Sequence, residues 1–171
     1  MLGVYILEVM NTREITGTLK TLFAELVDGA PRSGAAYMLN GGDTGLIASL
    51  DKLSAAAASK THGGGASIAA HVDHLRYGLS LMNRWSAGEN PFADADWTTS
   101  WRKTSVSEDE WTRLRGALRD EARRWLDALG KPRDVDDIEL NGVVGSIAHL
   151  AYHLGAIRQI DRATRGPSAT G

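Results

Sequence analysis

Residues 140–157, "LNGVVGSIAHLAYHLGAI", constrain the fold of this chain more than any other stretch. Wound as an α-helix at about 100° per residue, Leu140, Val143, Val144, Ile147, Leu150, Ala151, Leu154 and Ile157 cover well over half of its circumference. A helix that apolar is expected to be buried against several neighbours. Yet His149 and His153 sit in its middle. A buried imidazole needs a hydrogen-bond partner or a metal, or it costs stability. At this spacing the two rings differ by about 40° in azimuth and stand roughly 6 Å apart along the axis. One explanation must serve both.

The rest of the chain supplies the neighbours. Ile15, Leu19, Leu22, Phe23 and Leu26 mark a helix over roughly 12–28, which "DGAPRSG" stops. In the turn "LNGGDTG", Asp43 or Thr44 is placed to cap a second helix, where Leu46, Ile47, Leu50 and Leu53 form a stripe before a run of alanines. "THGGGAS" breaks the chain, and Ser67 caps a helix over about 67–87. Residues 88–106 read as a loop. "SEDE", 107–110, is a capping box for a helix to about 129, ended by "GKP". The last helix is expected over about 139–164, with 166–171 a flexible tail. There is no strand pattern and no repeat. The reading is all-α: an antiparallel four-helix bundle with an extra N-terminal helical segment, one domain over 1–171. The start, "MLGVYILEVM", is too short to span a bilayer and has no basic flank or cleavage site. Met10 is a candidate start, which would make 1–9 an extension.

Composition matters mainly for what it removes. The chain has no cysteine, which excludes disulfides, thiolate metal sites and a cysteine nucleophile, and which suits a cytoplasmic location. A net charge of −2 leaves no basic footprint for nucleic acid. No stretch is long enough for a membrane span.

Of the five histidines, two more lie in "HVDHL", on the helix after Ser67. His71 and His74 both fall on its apolar side, with Leu75, Leu79 and Met82. A bundle can bring this face against His149 and His153. Three imidazoles make an open site for a borderline metal, leaving positions for water or substrate. Spacing alone leaves His71 and His74 as alternatives for the third ligand. A ligand's other ring nitrogen needs an acceptor, for which Ser146, His71 or a backbone carbonyl is available.

The remaining candidates read as structural. His62 lies in a solvated loop, and "NGGDTG" lacks the lysine of a phosphate loop. Asp73 falls on the polar face as a partner for Arg76. Arg158 and Gln159 point well away from His153, and Tyr152 points into a helix interface or an oligomer contact. Trp85, Trp111 and Trp125 are packing anchors, whereas Trp97 and Trp101, in the irregular loop, are placed to shape a pocket wall. Asn40 is placed at the bundle mouth.

"GGGASIAAHVDHLRYGL" followed by "HLAYHLGAIRQI" resembles the DinB-like superfamily of four-helix metalloproteins. Its pattern is a Ser/Thr opening the second bundle helix, a histidine seven residues later, and H-x-x-x-H on the last helix. Here Ser67 plus seven is His74, so the resemblance implies His74, His149 and His153 as ligands, with His71 a partner behind them or an alternative ligand. The chain departs from the pattern at Ala66, where a tryptophan is common, and in its longer front end. The resemblance implies a divalent transition metal, zinc or nickel first, with iron or manganese as further options. It also implies an S-transferase that joins an external low-molecular-weight thiol to a small electrophile. A metal-dependent hydrolase, and a non-catalytic metal-binding or stress-associated helical protein, are the alternatives. Relatives often form homodimers through bundle faces.

Overall fold

The computed structural model describes residues 9–168, and the chain there is mostly helical. Six α-helices occur among these residues: α1 (Thr16–Asp28), α2 (Gly45–Leu50), α3 (Ala55–Ala58), α4 (Ile68–Ser86), α5 (Glu108–Leu129) and α6 (Asp137–Ile160). The four longest share one core. α4 lies against α5 and α6, and α1 lies against α5, α6 and α2. Phe23, Leu50, Ile68, Leu75, Leu118 and Leu150 are fully buried between them. No described helix is long and apolar enough to cross a membrane.

The local signals explain most boundaries. Ser67 Oγ accepts from the Ala70 amide (3.2 Å) and opens α4. Ser107 and Glu110 close their capping box at the head of α5, 3.3 and 2.8 Å. α6 has a second capping box, absent from the sequence reading: Asp136 and Glu139 each bond the other's amide, 2.8 and 3.0 Å. The helix therefore begins at Asp137 rather than about 139. It ends at Ile160, and a separate 3-10 turn, Arg162–Thr164, takes up the rest of the expected span.

Four other expectations need correction. The helix from 12 starts at Thr16, after a 3-10 turn (Thr12–Glu14). The apolar stripe after Asp43 is two helices, not one. The Leu53 carbonyl accepts from the Trp111 indole (2.8 Å), and Ser54 caps afresh on Ala57, so the chain turns between them. Two-residue strands β1 (Met10–Asn11) and β2 (Asp134–Val135) pair antiparallel, with Met10 opposite Val135. Residues 1–8 and 169–171 lie outside the described residues; within the expected tail, the Pro167 carbonyl accepts from Asn40 (3.0 Å).

The largest correction concerns α6. Val143, Ile147, Leu150, Leu154 and Ile157 are buried, but Val144 is 49% and Tyr152 70% exposed. Its main helical neighbours are α1 and α4, and two neighbours cover one side of a cylinder. The apolar coverage overstated the burial because Leu140 and Ala151, at its edges, are only half-buried and Val144 is exposed; an apolar side chain left on the surface is ordinary.

The loop between α1 and α2 is held by Glu25. Its carboxylate is buried and accepts from the amides of Tyr37, Met38 and Leu39 at 2.7 to 3.0 Å. Burial alone would raise its pKa; the three amides outweigh that, and the net shift is downward. The ends of the loop touch at Gly29 and Gly45, both at positive φ, where a Cβ on either would strike the other's backbone or that beside it. Asp43, at the same place, accepts from the Gly45 amide and pairs with Arg158 (2.7 Å) across to α6.

Candidate metal centre

α4 presents His71 and His74 toward α6, and α6 presents His149 and His153 back. His71, His74 and His153 are buried and His149 is half-buried. The Nε2 of His149 stands 3.1 Å from the Nε2 of His74 and 2.9 Å from that of His153. One ligand atom from each of His74, His149 and His153 lies within 4.8 Å of the others, close enough to hold one metal ion.

Proton accounting sharpens this geometry. Ser100 Oγ donates to the Trp97 carbonyl (3.0 Å) and lies 3.0 Å from His74 Nδ1. With its proton committed, Ser100 accepts from His74 Nδ1–H, which leaves His74 Nε2 as a bare lone pair. His153 Nδ1 is engaged by His71 Nδ1 at 2.8 Å, so its Nε2 also faces inward. His149 Nε2 then meets two nitrogens at once. A ring nitrogen carries either one proton or one lone pair, so it completes only one of these contacts as a hydrogen bond. A single cation would accept all three lone pairs.

The protonation states suit that role. Burial, with the neighbouring imidazoles second, pushes the pKa of His153 down to about 3 and that of His74 to about 4. Burial also lowers His71 and His149. Neutral imidazole is the metal-binding form.

Sequence reasoning missed the roof of this site. The loop expected over 88–106 contains a 3-10 turn, Thr99–Arg102, that places Trp97, Ser100 and Trp101 together over the rings. Trp101 stacks on His74 (centroids 4.3 Å, 27°) and meets His71 edge-on at 5.4 Å. Trp97 lies 5.6 Å from His74 and edge-on to Tyr77. The turn is fixed by Asp96, which binds both the hydroxyls and the amides of Thr98 and Thr99, and whose own amide donates to the Tyr77 hydroxyl. Only the expectation that Trp97 and Trp101 shape a wall pointed here.

The other sequence candidates divide cleanly. Ser146 does not serve a ligand: it donates to the Val143 carbonyl (2.7 Å) and accepts from the Trp125 indole (2.9 Å). His71 Nδ1 stands against His153 Nδ1, on the side away from the cluster. Asp73 pairs with Arg76 (2.8 Å) as expected, but it is buried rather than on a solvated face. Arg158 is structural, tied to Asp43, and Asn40 binds Pro167 rather than a bundle mouth. Tyr152 is not in a helix interface; it is exposed beside the His153 ring. His62 is exposed in its loop.

Beside this cluster, a cavity of about 310 Å³ opens between α4 and α6, with His74, His149 and Trp97 among its walls. Comparison of the chain with models of known families, with curated proteins and with solved structures found no match in any of the three.

Proposed function

We propose that His74, His149 and His153 hold one divalent transition metal, zinc or nickel first, and that the protein is a metal-dependent S-transferase. Carrying this reading is the convergence of three inward Nε2 atoms, two of them with the opposite nitrogen already engaged, beside a cavity of substrate size. The motif order of a DinB-like four-helix bundle agrees with it. His71 takes the role of a partner behind His153 rather than that of a third ligand.

A divalent ion bound there supplies Lewis acidity that lowers the pKa of a thiol or water toward neutrality. The chain has no cysteine, so the thiol arrives as a small molecule. Its sulfur forms a bond to the electrophilic atom of the substrate while the leaving group departs with its electron pair, and the thiol proton passes to solvent. The chain's own residues supply position: Ser100 fixes the His74 tautomer, His71 orients His153, and Trp97 with Trp101 keeps water from one side.

The hydrolase reading fits less well. It needs a proton acceptor beside the activated water, and no carboxylate is among the residues lining the cavity. The deciding experiment is elemental analysis of tag-free protein, wild type beside His149→Ala/His153→Ala, followed by turnover assays with and without added thiol. About one equivalent of metal in the wild type alone, with thiol-dependent turnover lost on chelation, is the expected result. A folded wild type that refuses zinc and nickel would end the metalloenzyme reading; turnover without thiol would favour hydrolysis.

A further inference from the structure

The cavity beside the histidines has a lining of unusual chemistry. No charged side chain lines it. Its one hydroxyl, Ser146, already has a donor and an acceptor. A charged group entering here would lose water and gain no partner apart from the imidazole end.

Three glycines in helix interiors also line it: Gly78 on α4, and Gly142 and Gly145 on α6. Each costs about 1 kcal/mol of helix stability relative to alanine. The usual reasons for such a cost do not hold here. None of the three has a positive φ. A Cβ at Gly142 or Gly145 would meet nothing within 4 Å. At Gly78 it would reach ordinary contact distance, 3.5 Å from the Trp97 ring and 3.8 Å from His149 Cε1, and so would stand between the two. Neither backbone strain nor close packing requires glycine at these positions. What side chains there would remove is space.

We propose that these glycines keep open a binding site for the uncharged apolar body of the substrate, held between Trp97 and α6 with its reacting end toward His74 and His149. The inference rests on the small-molecule enzyme reading above and names the substrate class. The cavity is about twice the roughly 150 Å³ of an engineered cavity that takes benzene, so it suits a substituted ring, a fused pair of rings or a branched chain of similar bulk. A polar thiol co-substrate does not fit this lining and approaches the metal from another side.

The test uses zinc-loaded full-length protein titrated with indole, naphthalene and tryptamine, read from amide shifts of Gly78, Gly142 and Gly145 by NMR. Both neutral probes are expected to shift these amides, and tryptamine, the same indole ring carrying an ammonium, to bind at least tenfold more weakly. Gly145→Leu is expected to keep its zinc and to weaken indole at least tenfold; Gly142→Leu is the second variant should the first fail to fold. No shift with either neutral probe, equal binding of tryptamine, or a folded leucine variant with unchanged indole affinity would overturn the proposal. Indole binding in a protein that holds no metal would sink the proposed function and leave this site standing; metal binding without neutral-probe binding would do the reverse.

Discussion

Two buried polar constellations sit in this molecule, and they are completed in opposite ways. At Glu25, an anion meets three amide donors, and every group there has its partner inside the chain. At His149, one ring nitrogen meets two others and can bond only one of them. The first site closes a loop; the second leaves one contact unmade, which a metal ion held by the three histidines would complete. Burial alone does not tell the two apart, since Glu25, His74 and His153 are all buried. Partner accounting does.

The largest effect should come from the open site. His149→Ala/His153→Ala should remove metal binding worth on the order of 10 kcal/mol, read as loss of bound zinc, while the metal-free variant unfolds near the metal-free wild type. A metal-free variant that collapses would mean that the imidazoles hold the core together as a hydrogen-bonded cluster. Glu25→Gln should do the opposite. Its NH₂ cannot accept, so the Tyr37 amide loses its Oε2 contact, while Met38 and Leu39 keep Oε1 as a neutral rather than a charged acceptor, at a cost of about 1 to 3 kcal/mol. Urea unfolding measures the loss, and zinc stoichiometry should not change. Altered stoichiometry would show that the two constellations are coupled through Asp43 and Arg158.

Ser100→Ala comes next. It removes the acceptor that fixes His74 with its proton on Nδ1. Loss of an acceptor behind a ligand commonly lowers metal affinity about 10- to 100-fold. Competition against a chromophoric chelator reads this directly, and Ser100→Thr, which keeps a hydroxyl, should restore most of it. Equal affinity in wild type and Ser100→Ala would remove Ser100 from the site.

The two constellations should also separate on a pH axis. The buried histidines have folded pKa values below the unfolded value of about 6.5, reaching about 4 at His74 and about 3 at His153. Above pH 6.5 they are neutral folded or unfolded, and they contribute no pH dependence. As pH falls below that, the unfolded chain takes up protons that the folded chain refuses. Metal-stripped protein should then lose stability at up to about 1.4 kcal/mol per pH unit for each such histidine. Glu25 has its folded pKa lowered, so its stabilisation is present above the unfolded carboxylate range and is lost only as pH falls through it. Acid titration of wild type and Glu25→Gln should differ below about pH 4.5 and run parallel above it; divergence at pH 6 would contradict the assignment.

The same distinction explains what could be read from the sequence. His149 and His153 were legible as a pair because positions on a helix are periodic, and periodicity survives without coordinates; it left His71 and His74 as alternatives, and only the motif resemblance favoured His74. The caps at Ser67 and Ser107 were legible because a cap is a contact within four residues. Ser100 was not, and Trp101 was read only as part of a pocket wall. They reach His74 from an aperiodic loop whose path is set by Asp96 and by the Tyr77 hydroxyl on another element. The split between α2 and α3 was hidden for a similar reason, because the Leu53 carbonyl is taken by Trp111, 58 residues away. Glu25 gave no signal, since its partners are backbone amides that any sequence possesses. The outer face of α6 was misread because apolar identity alone does not say which side chains a neighbour covers, and Val144 is exposed.

The smallest predicted effect bears on the glycines that neither constellation needs. Gly142→Ala and Gly145→Ala add a methyl group where nothing lies within 4 Å, on backbone that is ordinary helix. Each should therefore raise stability, by up to about 1 kcal/mol, measured as a higher urea midpoint with an unchanged slope. Gain of stability on replacing a residue is the mark of a position whose identity answers to something other than folding. If either alanine instead destabilised the chain, glycine there would be serving the packing of α6, and the cavity beside His149 would belong with Glu25 among the structural features of the fold.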